Sequence, residues 1–113
     1  SSQAGGWGDL LSEARKSHPE VTAVLAFSDL IAWESILAFK NMGLRVPEDI
    51  SVMGFDDIQS RFRFPVLLTT VSSSKRTMAT AAAELLLQKI QGEAKEQIVL
   101  KTKLIIREST RAI

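Results

Sequence analysis

VTAVLAFSDLIAWESILAFKNMGLRVPEDISVMGF, residues 21–55, is the stretch whose reading decides the fold. Val21 to Phe27 is a continuous apolar run rich in valine, the pattern of a strand buried on both faces. Ser28 or Asp29 then caps a helix running to about Met42, with Gly43 as its stop and Pro47 soon after. Ile50 to Phe55 is a second buried strand. Strand, helix and strand within about 35 residues make a βαβ unit, whose strands run parallel with a right-handed crossover.

Downstream of this unit, Asp56 to Pro65 reads as a loop with one helical turn around Ser60 to Arg63. Leu68 to Val71 is a third short strand. Ser74 caps a helix to about Gln91, with Met78, Ala82, Leu85, Leu86 and Ile90 on one face and Gly92 as the stop. Ile98 to Arg107 is strand-like, in two pieces around Lys101 to Lys103. Upstream, Leu10, Leu11 and Ala14 recur at helical spacing within Trp7 to Lys16, and His18-Pro19 ends that helix. The fold class is α/β with a parallel, Rossmann-like sheet.

Composition narrows the function. The 113 residues make at most one small domain, with 45% hydrophobic and 24% charged residues. A net charge of +1 is too small to argue for a nucleic-acid or membrane surface. The absence of cysteine excludes disulfides and thiolate metal sites and fits a reducing cytoplasm. No apolar run approaches the length of a membrane span, and Ser1 to Asp9 lack a signal-peptide pattern. There is no phosphate loop, no dinucleotide fingerprint and no nucleophile motif beside His18, so the chain carries no catalytic constellation and no cofactor is expected.

In open parallel sheets, ligands bind beyond the carboxyl ends of the strands. Here the first strand delivers Ser28 and Asp29, and the second delivers Asp56 and Asp57. Asp56 and Asp57 can accept hydrogen bonds from a ligand, or serve as turn residues. Asp29 suits a helix start, where free amides and the helix dipole stabilise a carboxylate. Ser28 can cap that helix or turn its hydroxyl to the crevice. Asp29, Asp56 and Asp57 together also suggest a magnesium site of the kind found in phosphate-accepting domains. In the helix from Asp29 to Met42, apolar residues cover more of the circumference than one sheet contact needs. Either another element or a partner subunit covers the rest. Arg61-Phe62-Arg63-Phe64 alternates basic and aromatic residues, which suits base stacking or simple packing under the loop.

Several segments together resemble one family. Gly43 to Asp57, GLRVPEDISVMGFDD, is similar to a signature of lactose-, galactose- and purine-repressor-type regulators. Thr22 to Ala32 (TAVLAFSDLIA), Leu68 to Val71 (LTTV) and Leu104 to Arg111 (LIIRESTR) resemble further segments of that family in the same order. The resemblance implies the C-terminal portion of an effector-binding domain like a periplasmic binding protein. It divides the chain into part of one subdomain (1–67), a crossover strand and helix of the other (68–97), and C-terminal strands (98–113). A helix-turn-helix head and a first subdomain, roughly 220 residues, would precede Ser1.

The family's effector contacts carry over to Asp56, Ser28 and Ser73. Ser28 stands where many members have asparagine, and Ser73 where many have glutamine. Each exchange replaces a bidentate amide with a short hydroxyl. The resemblance implies a cytoplasmic repressor that senses a sugar-like or nucleoside-like molecule and reaches operator DNA through its head. It forms a homodimer through the helix at 29–42 and the loop at 61–67. It also implies that the helix from Ser74 to Gln91 loses its packing partner in this chain, which predicts oligomerisation or domain exchange. The alternative is a periplasmic-type sugar-binding protein without DNA binding.

Overall fold

The computed structural model describes residues 6–58, 66–93 and 97–113. In chain order these form α1 (Trp7–Ser17), β1 (Ala23–Leu25), α2 (Asp29–Asn41), β2 (Ser51–Met53), β3 (Thr70–Ser72), α3 (Lys75–Ile90) and β4 (Lys103–Ile105). The helical turn expected at Ser60 to Arg63 and most of the proposed dimer loop lie outside the described residues.

The βαβ unit forms as its sequence predicts. β1 and β2 pair in parallel, with Val24 opposite Val52. Ser28 takes the helix cap, its Oγ accepting from the Ile31 amide at 3.3 Å. Gly43, at φ 84°, supplies the left-handed residue that ends α2. One row of α2, Ala32, Ile36 and Phe39, meets Ala26, Ile50, Val52 and Leu68 in a single small core. The strands are shorter than the apolar runs suggest.

Beyond β2 the sheet continues irregularly. Thr69 bridges Met53 in parallel, and the Gly54 amide donates to the Thr69 carbonyl at 2.9 Å. β3 then pairs antiparallel with β4, Val71 opposite Leu104. The expected third strand therefore starts in one sheet and ends in a second. The C-terminal stretch forms one strand at Lys103–Ile105 rather than two pieces. Leu67 and Val52 engage the main chain beyond β4 and the Thr69 amide engages the Ser109 side chain, so those backbone groups are satisfied outside a regular ladder.

The pin of this region is Ser109, which is fully buried. Its Oγ donates to the Val52 carbonyl and accepts from the Thr69 amide at 2.8 Å. Its own carbonyl accepts from the Val52 amide at 2.9 Å. One serine thus ties the C-terminal segment to β2 and to the strand entering β3.

One expectation of burial fails, and the uncovered helix expected downstream is found. The run Val21 to Phe27 reads as buried on both faces, yet Leu25 is 70% and Phe27 86% exposed. α2 covers only the Val24–Ala26 face, and no described element lies on the other. α3 has no buried residue, and Met78, Leu86 and Ile90 stand exposed. By contrast, the broad apolar surface of α2 is partly met within the chain. α1 packs along it, Leu11 reaches the core, and the Trp7 indole donates to Ser35 Oγ at 2.9 Å. Leu30 and Leu37 remain exposed. No described helix is long and apolar enough to cross a membrane.

Candidate functional site

The carboxyl ends of β1, β2 and β3 lie side by side. The Asp29 amide donates to the Phe55 carbonyl at 2.9 Å, joining the start of α2 to the end of β2. The Asp56 amide donates to the Val71 carbonyl at 2.9 Å, joining the end of β2 to β3. Ser28, Asp56 and Ser73 therefore sit along one edge, each just past the end of its strand. Ser28 and Ser73 are half-buried and Asp56 is exposed.

The three carboxylates at this edge divide sharply by role. Asp29 is fully buried. Its Oδ1 accepts from Thr70 Oγ1 at 2.6 Å, and its Oδ2 accepts from the Ile58 amide at 2.8 Å. Asp29 is thus neither the helix cap nor a ligand group; it knots the loop after β2 to β3. Asp57 forms an ion pair with Arg107 at 2.9 Å, both side chains mostly buried. Arg107 also donates to the Leu68 carbonyl at 3.0 Å, and its amide donates to Thr69 Oγ1 at 2.9 Å. Asp57 is therefore structural too.

That leaves Asp56, whose carboxylate accepts no hydrogen bond from a described residue. Its backbone is the least ordinary among the described non-glycine residues, at φ 114°, followed by Asp57 at 58°. A non-glycine residue there costs about 1–3 kcal/mol and persists only when its surroundings enforce it. The enforcing contacts are the amide bond to Val71 and a bond to the Asp56 carbonyl from Lys75 Nζ, at 2.8 Å. Asp56 is exposed at this turn, so among the described residues its carboxylate keeps its acceptor capacity.

Gly54 makes this geometry possible. A Cβ there would strike Asp29 Oδ1 and stand 2.9 Å from Leu68 Cδ2. Only glycine lets the buried Asp29 pack against β2.

The carboxylates do not make a magnesium site, since two of the three are spent on protein partners. Among the described residues no three acidic or histidine side chains gather to hold a metal ion. No sequence motif pairs Arg107 with Asp57 or Thr70 with Asp29, because the partners are 50 and 41 residues apart. Lys75 likewise carries no motif that would single it out.

One further ion pair closes the turn before β2. Arg45 donates to Asp49 through its amide and its guanidinium at 2.7–3.0 Å. That hydrogen bonding lowers the Asp49 carboxyl from its ordinary 3.8 to about 2 and raises Arg45.

Parallel strands with a polar edge at their carboxyl ends, and a helix packed on one face, define an α/β module of the binding-protein type. The periplasmic binding protein-like domain model matches residues 2–110. The chain is 36% identical over 100 residues to the HTH-type transcriptional repressor PurR of Photobacterium profundum, covering 87% of this chain and 29% of that protein. It superposes with a TM-score of 0.79 and 35% identity on the transcriptional regulator CelR-cellobiose complex, over 90% of this chain and 32% of the other. It also superposes on the lac repressor dimer bound to operator and the anti-inducer ONPF, with a TM-score of 0.79 and 33% identity, over 93% of this chain and 37% of the other. The chain belongs to the periplasmic binding protein-like domain family, in the form found in lactose-repressor-type transcription regulators. It spans about a third or less of the length of the PurR and CelR relatives.

Proposed function

We propose that this chain is the effector-sensing and dimerising part of a cytoplasmic transcription repressor. The observation that carries the reading is the edge formed by Ser28, Asp56 and Ser73 at three adjoining strand ends. Of the carboxylates there, only Asp56 is left free for a ligand. In this reading Asp56 accepts from an effector hydroxyl or amine, and Ser28 and Ser73 supply short hydroxyls on either side. The relatives are repressors, and one solved neighbour holds cellobiose, which supports a sugar-like or nucleoside-like effector. The chain acts here by binding and not by catalysis.

Residues 1–67 belong to one subdomain, 68–97 supply a strand and helix to the other, and 98–113 return as C-terminal strands. The bare faces of α3 and β1 support that division, because each needs a cover that no described residue supplies. The exposed Leu30 and Leu37 of α2 and the loop at 61–67 form the homodimer surface. Effector binding between the subdomains shifts a two-state equilibrium and so changes operator affinity through an N-terminal head.

Gel filtration and ligand screening of the full-length protein test this. A dimer whose melting temperature rises with a sugar or nucleoside is expected. A strict monomer that responds to no small molecule of these classes would sink the reading.

A further inference from the structure

The geometry points to Lys75 as a charged contact of the same edge, selecting an effector that carries an anionic group, a phosphate ester or carboxylate, on a hydroxylated frame. This rests on the effector edge proposed above. The Lys75 ammonium sits beside Asp56, one proton donated to its carbonyl at 2.8 Å. An ammonium has three donors, so two face outward. No described acid neutralises it: the ion pairs among the described residues are His18–Glu20, Arg45–Asp49 and Arg107–Asp57. From Ile58 to Ala83 the sequence holds Arg61, Arg63, Lys75 and Arg76 and no acidic residue.

The position also breaks a local preference. α3 opens on Lys75 and Arg76, with no acid in its first turn. Cations are favoured at helix C-termini, and the helix dipole disfavours a cation at the other end. A broken local rule with no ion pair to offset it marks a functional position. A neutral sugar would satisfy Asp56 and the two serines and leave the ammonium to water. An anionic group on the same molecule would take both outward protons in charge-assisted bonds.

The test uses the full-length protein and a panel of matched probes: neutral hexoses and pentoses, their phosphate esters, the corresponding aldonic acids, and inorganic phosphate. Thermal shift finds the best binder, and calorimetric titration follows with wild type, Lys75→Gln and Lys75→Arg. Lys75 is exposed, and a Gln amide or an Arg guanidinium can still donate to the Asp56 carbonyl, so the turn keeps a donor and similar melting of the unliganded variants is expected. The best binder should be anionic; whether ester or acid wins names the group. Lys75→Gln should weaken it at least about tenfold, as loss of a charged hydrogen bond does. Lys75→Arg should restore most of the loss, and the neutral parent sugar should change less than about twofold. A neutral best binder, or an anionic one indifferent to Lys75→Gln, overturns the role of Lys75 and leaves the effector-sensing reading intact. Equal weakening of neutral and anionic probes makes Lys75 a clamp on the Asp56 turn and also overturns it. Inorganic phosphate binding as tightly as the esters overturns the hydroxylated frame. A panel with no binder overturns the role of Lys75, and a further lack of response to nucleosides and oligosaccharides defeats the effector-sensing reading itself.

Discussion

Single residues hold this chain in shape through a few buried polar contacts. Ser109→Ala would leave the buried Thr69 amide without its acceptor and take a donor from Val52. A loss of about 1–3 kcal/mol is expected in urea unfolding. Gly54→Ala would force a methyl onto Asp29, so it should cost more than the usual overpacking range of about 1–3 kcal/mol, read in the same way. The Arg45–Asp49 pair gives a pH signature. Asp49 has a lowered folded pKa, about 2 against 3.8. Its contribution is therefore complete above about pH 4 and disappears as pH falls toward 2. Acid unfolding followed by circular dichroism should lose that part of its slope in Arg45→Gln. An unchanged slope would show that the pair adds nothing. Residue-level meaning is partly legible in the sequence. The choice of Ser28 over Asp29 as cap needs the structure. The strand-end placement of Asp56 and Asp57 and the cap at Ser74 follow from strand ends and helix starts. The roles of Asp29 and Asp57 do not, since Thr70 and Arg107 are set beside them by the tertiary fold. Short-range rules describe caps and turns; they do not predict which buried carboxylate meets which distant donor.

Elements show the same division. The βαβ order is written in residues 21–55, and α2 follows its cap and its glycine stop. Strand lengths are not, because apolar runs extend past the point where a partner edge exists. Burial is not either: a strand can carry the composition of a two-sided core and have only one side covered. α2 is the anchor, so Phe39→Ala should cost about 3–5 kcal/mol by urea unfolding. On α3, Leu86→Gln should cost less than about 0.5 kcal/mol in this chain, since the side chain is exposed. In the full-length protein the same change should cost clearly more, because in the proposed division the other subdomain covers that face there. Equal small effects in both would contradict the proposed division of the chain.

At the scale of the molecule, the chain is extended. Its radius of gyration is 18.2 Å and its long axis 57 Å, whereas a compact domain of this length has a radius of about 13 Å. The core is one small cluster around α2 and β2, while α3 and one sheet face lie open. A body of this shape exposes apolar surface that needs a partner. In sedimentation at tens of micromolar (about the range of routine experiments), the isolated chain should self-associate and bind a hydrophobic dye. A monodisperse, dye-free monomer would show that the open faces are tolerated.

In the proposed function, Asp56 is the effector contact of the full-length protein, and that contact is coupled to DNA binding. Fluorescence anisotropy on an operator selected from random DNA, titrated with the protein's best small-molecule binder, measures this coupling. Asn tolerates a positive φ as well as Asp, so Asp56→Asn removes the charge and keeps the turn. Wild type should change its operator affinity as the effector is added, while Asp56→Asn should bind operator normally and respond to the effector only at about tenfold or more higher concentration. An Asp56→Asn protein that responds like wild type would contradict this role of Asp56.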